Sequence, residues 1–229
     1  MTDERVLGDC VIRSWGDNPL ILIILLHGLG DNAENLMFLG EALYSARYGS
    51  KVIALNAPYK SIPYFSGEVM RSWFNLSLSW DIGIGDADGL AASCQRVLDV
   101  IEDAIKKDNF SERNIFLGGF SQGGIVCLML SIMMKRQIGG IFSLSSMLRD
   151  IDLPSDDIVQ KNIDTPIFFA EGLRDEIIPE DVRRVTENVL ASLFPDRLTY
   201  NKYDIGHNLA KEEIDDLREW IHEKIKFPQ

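Results

Sequence analysis

Seven consecutive apolar residues, Leu20-Ile21-Leu22-Ile23-Ile24-Leu25-Leu26, limit the folds open to this chain more than any other stretch. A strand with one face in water alternates apolar and polar side chains, because successive residues point to opposite faces. A run with no polar member must be covered on both sides, the condition of a central strand in a parallel sheet flanked by helices. It is far too short to cross a bilayer, which takes about 20 residues as a helix. Further strands are predicted at residues 51–56, 114–118, 140–144, 166–170 and 198–203.

Between these strands the period becomes helical. Ala87, Leu90, Ala91, Cys94, Val97, Leu98, Ile101 and Ile105 recur at three- and four-residue steps, which predicts a helix over residues 86–107 with one face on the sheet. Similar spacing predicts helices over residues 36–44, 182–193 and 209–225. Residues 122–134 are apolar on every side apart from the opening glycines and Ser131, so that helix must be buried. Alternating strands and helices indicate an α/β fold with a mostly parallel central sheet and helices on both faces. No linker or low-complexity stretch divides the 229 residues, so a single domain is expected over 1–229. Residues 58–80, with Tyr59, Tyr64, Phe65, Trp73, Phe74 and Trp80, are aromatic and poorly periodic, as expected of a loop flanking an active site.

A formal charge of −12 and a pI near 4.7 disfavour nucleic acid as a partner, because phosphate would be repelled. The same charge disfavours docking on anionic membranes, leaving transient contact at most. The polar start, residues 2–5, lacks a signal-peptide pattern, and Cys10, Cys94 and Cys127 show neither CxxC nor metal-ligand spacing. A reduced, cytoplasmic setting is the simplest expectation, with no metal and no other cofactor.

Gly119-Phe120-Ser121-Gln122-Gly123 matches G-x-S-x-G. Gly and Ser frequencies near 7% each let the pattern arise by chance in roughly one chain in ten, so its position matters more than its letters. It falls between the predicted strand 114–118 and the buried helix 122–134, where a sharp turn needs glycines around a serine held outward. The bland alternative is a glycine-rich turn capped by a serine. A serine hydroxyl needs a base to become nucleophilic, and three histidines are available. His222 lies among Glu219, Glu223 and Lys224 and is expected to be a solvated surface residue. His27 precedes Ser121, the wrong order for a triad that runs serine, acid, histidine in this fold. His207, between the last predicted strand and the last helix, has the right place. Asp175 follows the predicted strand 166–170 and would orient the imidazole, with Glu176 and Glu171 as rivals. Backbone N–H groups of Gln122 and Leu29, the latter in His27-Gly28-Leu29-Gly30-Asp31, are the candidates for an oxyanion hole.

At these residues the chain resembles the phospholipase/carboxylesterase family, which includes acyl-protein thioesterases and lysophospholipase-like enzymes. The likeness spans nearly the whole chain. It rests on His27-Gly28-Leu29-Gly30-Asp31, Asn56-Ala57-Pro58, Arg71-Ser72-Trp73-Phe74, Gly118-Gly119-Phe120-Ser121-Gln122-Gly123-Gly124, Asp175 followed by Ile178-Pro179, and Gly206-His207. The resemblance implies an α/β-hydrolase that cleaves fatty-acyl thioesters on protein cysteines, or oxygen esters of lysolipids and small acyl compounds, with a homodimer among the forms open to it. It also suggests Leu29, Trp73, Phe74, Leu78 and Ile177 as walls for an acyl chain. The chain departs from the family pattern where Glu171-Gly172 replaces a His-Gly pair, where Arg174 and Glu176 flank Asp175, at Asn75, and in having Asn208 after His207. These departures imply a more polar pocket and argue against long-chain specificity. A short-chain carboxylesterase, or a non-catalytic acyl-ligand-binding protein on the same fold, are the competing expectations.

Overall fold

A computed structural model describes residues 2–7, 9–45, 47–76, 85–149, 153 and 164–226. Its described elements are, in order, β1 (Thr2–Leu7), β2 (Cys10–Trp15), β3 (Ile21–Leu26), α1 (Ala33–Leu43), β4 (Ser50–Leu55), β5 (Tyr59–Ile62), β6 (Glu68–Arg71), α2 (Ala87–Lys107), β7 (Ile115–Phe120), α3 (Gln122–Met133), β8 (Gly140–Leu144), β9 (Ile167–Gly172), α4 (Glu180–Leu193), β10 (Leu198–Tyr203) and α5 (Lys211–Lys224). One eight-stranded sheet runs in the order β1-β2-β4-β3-β7-β8-β9-β10. From β4 to β10 every neighbour is parallel, whereas β1 and β2 form an antiparallel edge. The expected α/β architecture, mostly parallel and covered on both faces, is the one observed.

The apolar run sits where its composition requires. Every residue of β3 is buried. Leu22, Ile24 and Leu26 pack with the buried faces of α2, α3 and α4, while Ile21, Ile23 and Leu25 pack with those of α1 and α5. Burying a side chain of this size contributes about 1.5–3 kcal/mol, so a strand with no polar member is most stable at the centre. Helix starts follow local chemistry. Asn32 accepts the N–H of Asn35 (2.8 Å) ahead of α1, and Asp86 that of Gly89 (2.9 Å) ahead of α2.

Three expectations need correction. β1 and β2 were not foreseen: an antiparallel edge strand needs little burial, and within β2 only Val11 is buried. Within the stretch expected to be a loop, residues 59–71 form a hairpin, β5 and β6 pairing around the short 3₁₀ turn Pro63–Phe65 with Ser66 in the left-handed region at φ 53°, while residues 77–80 lie outside the described residues. His222 is half-buried rather than solvated: its ring packs edge-on to Tyr48 (5.6 Å), and burial pushes the imidazole below its usual range. Among the described residues no helix is long and apolar enough to cross a membrane.

Glu213, in the first turn of α5, is fully buried. Its Oε2 accepts the Ala210 N–H (3.2 Å), and its Oε1 has no partner among the described residues. Burial pushes the carboxyl up to about 7, with the Ala210 N–H opposing only in part. The folded protein therefore holds this proton more tightly than the unfolded chain does. Its stabilising effect is fully present below the unfolded value near 4.3 and is lost as pH rises through about 7. Glu213→Gln is expected to stabilise the protein at pH 8 by on the order of 1–3 kcal/mol, with a smaller gain at pH 5. Urea unfolding at both pH values measures this, and an equal gain at both, or a loss at pH 8, refutes it.

Candidate active site

The chain passes from β3 to β4 on one side and later inserts β7 on the other, so strand order reverses at the β3/β7 pair. Loops leaving the carboxyl ends of these two strands diverge and open a crevice there. Residues 27–31 leave β3 and Ser121 follows β7, which brings the two glycine-containing motifs together.

Ser121 occupies the turn between β7 and α3 at φ 52°, ψ −118°, a strained conformation for a residue with a side chain. Its N–H donates to Leu144 O (2.9 Å). The flanking glycines are demanded by space. A Cβ on Gly119 would fall 2.4 Å from the Gly123 carbonyl carbon, and one on Gly123 would fall 2.2 Å from Leu26 O. With both positions bare, α3 starts directly against the end of β3. The Gln122 side chain, buried, ties this turn to the aromatic segment. Its Oε1 accepts the Trp73 N–H (2.9 Å) and its Nε2 donates to Phe74 O (2.7 Å).

Residues from three loops meet in one line. Ser121 Oγ lies 2.9 Å from His207 Nε2, and His207 Nδ1 lies 2.7 Å from Asp175 Oδ2. The geometry suits a neutral imidazole that donates from Nδ1 to the carboxylate and accepts the serine proton at Nε2. Phe120 packs against the His207 ring at 5.0 Å. Burial pushes the Asp175 carboxyl up, but the hydrogen bonds from His207 and from the Ile178 (2.9 Å) and Ile177 (2.8 Å) N–H groups outweigh it and hold the group below the usual range. Of the rivals, Glu176 lines the adjacent cavity, and Glu171 is buried behind the loop near Arg183 and Lys202.

His27 has a supporting place. Its Nδ1 donates to Gly28 O (2.6 Å) and its Nε2 accepts the Ala57 N–H (3.0 Å). Burial pushes this imidazole down, in keeping with a neutral ring. Trp73 Nε1 donates to His27 O (2.8 Å), Gly30 N–H to Arg71 O (2.9 Å) and Asp31 N–H to Gly28 O (3.3 Å). This loop is thus held from both sides while Leu29 borders the cavity. Gln122 is the first residue of α3, so its N–H has no carbonyl one turn back within the helix.

A cavity of about 700 Å³ opens over Ser121 and His207. Leu29, Phe74 and Ile177 are among the residues that line it. Trp73 is not. It is fully buried one layer behind, held through its indole N–H and ring contact to His27. Leu78 lies outside the described residues. Arg174 and Glu171 also stay out of the cavity, the former paired with exposed Asp204 (2.8 Å). Asn75 instead donates its N–H to Asp86 Oδ2 (2.6 Å). Sequence reasoning missed Ile125, Ser146, Met147 and Arg149 in the cavity wall. Ile125 stands one helical turn after Ser121, and the other three follow β8, so the rule that ligands sit at the carboxyl ends of parallel strands could have found them.

Comparison with known proteins shows which family and fold this chain shares. Residues 7–225 match the family model described as phospholipase/carboxylesterase. An acyl-protein thioesterase 1 from Kluyveromyces lactis is 32% identical, covering 90% of this chain and 92% of its own; one from Yarrowia lipolytica is 30% identical, covering 89% and 92%. Among solved structures, Zea mays acyl-protein thioesterase 2 superposes with a TM-score of 0.78 at 21% identity, over 94% of this chain and 99% of that one. The Bacillus cereus carboxylesterase superposes with a TM-score of 0.73 at 21% identity, over 94% and 93%. Those two likenesses concern the fold, whereas a family match running through nearly all of the sequence concerns descent: the chain belongs to the phospholipase/carboxylesterase family.

Proposed function

We propose that this protein hydrolyses carboxylic ester or thioester bonds through an acyl-enzyme on Ser121, with His207 as general base and Asp175 as the group that orients it. The observation that carries the reading is the unbroken line from Ser121 Oγ to His207 Nε2 (2.9 Å) and from His207 Nδ1 to Asp175 Oδ2 (2.7 Å) at the floor of a cavity. As Oγ attacks the substrate carbonyl, its proton passes to Nε2, and the Asp175 carboxylate stabilises the imidazolium that forms. The oxyanion is met by the N–H groups of Leu29 and Gln122, the latter at the positive end of α3. Collapse of the intermediate expels a thiolate or alkoxide that takes the proton from Nε2. Water, deprotonated by His207, then cleaves the Ser121 ester and releases the acid.

The relatives named acyl-protein thioesterase 1 support a thioester of an acylated protein as substrate, and the ester of a lysolipid needs the same chemistry. A cavity of about 700 Å³ with Leu29, Phe74, Leu76, Ile125 and Met147 in its wall suits an acyl chain. Arg149 and Glu176 in the same wall favour a second reading, a carboxylesterase for short acyl groups. We place the single domain 1–229, flanked at the site by residues 58–80, in the cytoplasm, as a monomer or homodimer with at most transient contact with membranes.

A fluorophosphonate probe is expected to label the wild type at Ser121 and to label neither Ser121→Ala nor His207→Ala, with kcat for p-nitrophenyl butyrate lowered about 10⁴-fold or more in both. A folded wild type that resists the probe would falsify the hydrolase reading. For the acyl chain, kcat/KM on thioesters is expected to rise from C4 to C16. A decline beyond C8 would decide for the short-chain esterase instead.

A further inference from the structure

Arg183 is a cation where a helix least favours one. It stands in the opening turns of α4, whose N-cap is Pro179, at the positive end of the backbone dipole. It is also buried, 8% exposed, and a guanidinium in such a place is costly unless its donors are used. They are used on one target. Nη1 donates to the carbonyl oxygens of Asp175 (2.9 Å) and Ile178 (2.7 Å), and Nη2 to that of Leu173 (3.3 Å). Nε lies 3.8 Å from Glu171 Oε2, so the counter-charge lies inside the fold.

Those carbonyls belong to the loop that aims Asp175. Oδ1 of Asp175 accepts the N–H groups of Ile177 and Ile178, which leaves Oδ2 for His207. The turn from 175 to 178 thus sets the rotation of the carboxylate, and Arg183 holds both ends of that turn from outside the cavity wall. We propose that Arg183 is a positioning residue for the catalytic acid: its planar fork, with Glu171 as counter-charge, fixes the turn that presents the Asp175 carboxylate to His207. This rests on the triad reading given above. Lysine would keep the charge, but its compact ammonium lacks the rigid fork that spans several carbonyls.

The test measures kcat and KM for p-nitrophenyl butyrate, with thermal unfolding midpoints, in the wild type, Arg183→Lys, Asp175→Ala and the double variant. Arg183→Lys is expected to lower kcat roughly ten- to hundredfold with KM within about twofold. It is expected to cause no further loss in the Asp175→Ala background, because a group acting through Asp175 has nothing left to position. Should the Lys variant be unfolded at the assay temperature, Arg183→Gln is read in the same way. Wild-type kcat in Arg183→Lys, or the same fold-loss with and without Asp175, overturns the inference. Wild-type kcat in Asp175→Ala overturns the triad reading and this inference together, whereas an impaired Asp175→Ala beside an unimpaired Arg183→Lys overturns this inference alone.

Discussion

Contact between the start of α3 and the end of β3 governs the geometry of the site. β3 and β7 pair in parallel with Leu26 opposite Gly119, so the two chains leave the sheet side by side. α3 can then begin against the Leu26 carbonyl only because Gly123 has no side chain. The approach forces Ser121 into a backbone conformation that costs on the order of 1–3 kcal/mol, offset by an almost wholly buried helix and the hydrogen bond to Leu144. The same approach brings Ser121 beside the loop after β3, where a Cβ on Gly28 would fall 3.4 Å from the Ser121 Cβ. The strain at Ser121 and the placing of its hydroxyl beside His207 are consequences of one close packing contact.

Two buried carboxylates show how donors decide charge in this fold. Asp175 and Glu213 are both removed from water, and burial pushes both carboxyls up. Asp175 meets two backbone N–H groups and an imidazole N–H, enough to hold it ionised. Glu213 meets one N–H and has an oxygen with no partner among the described residues, so burial pushes its carboxyl up to about 7. The loop around Asp175 extends this economy outward, because its spare carbonyls take up the donors of Arg183 and Glu171 balances the cation.

The covalent pattern already constrained much of this. Continuous apolarity in residues 20–26 implied burial on both faces, and helical periods located α2 and α3 within a residue or two, because both signals come from side chains acting locally. The serine's place between a strand and a buried helix, and the order of Asp175 and His207 after later strands, pointed to residues that the fold does bring together. Less was legible where position depends on distant partners. Trp73 and Phe74 are adjacent and both aromatic, yet only Phe74 reaches the cavity, since the Trp73 indole is turned away by the His27 carbonyl. The β5/β6 hairpin and β2 lacked a strong period because few of their residues face a core.

By itself, then, the sequence determined the class of fold, the central strand, and which hydroxyl, imidazole and carboxyl follow strands in a workable order. Those follow from hydrophobic periodicity and steric need, which are encoded within short stretches. Only the tertiary structure decided the distances among them, the cavity wall after β8, and the attachment of Arg183 to the loop of Asp175. These depend on how helices and strands far apart in the chain pack, and no local pattern records the contact of one residue with a carbonyl on another element.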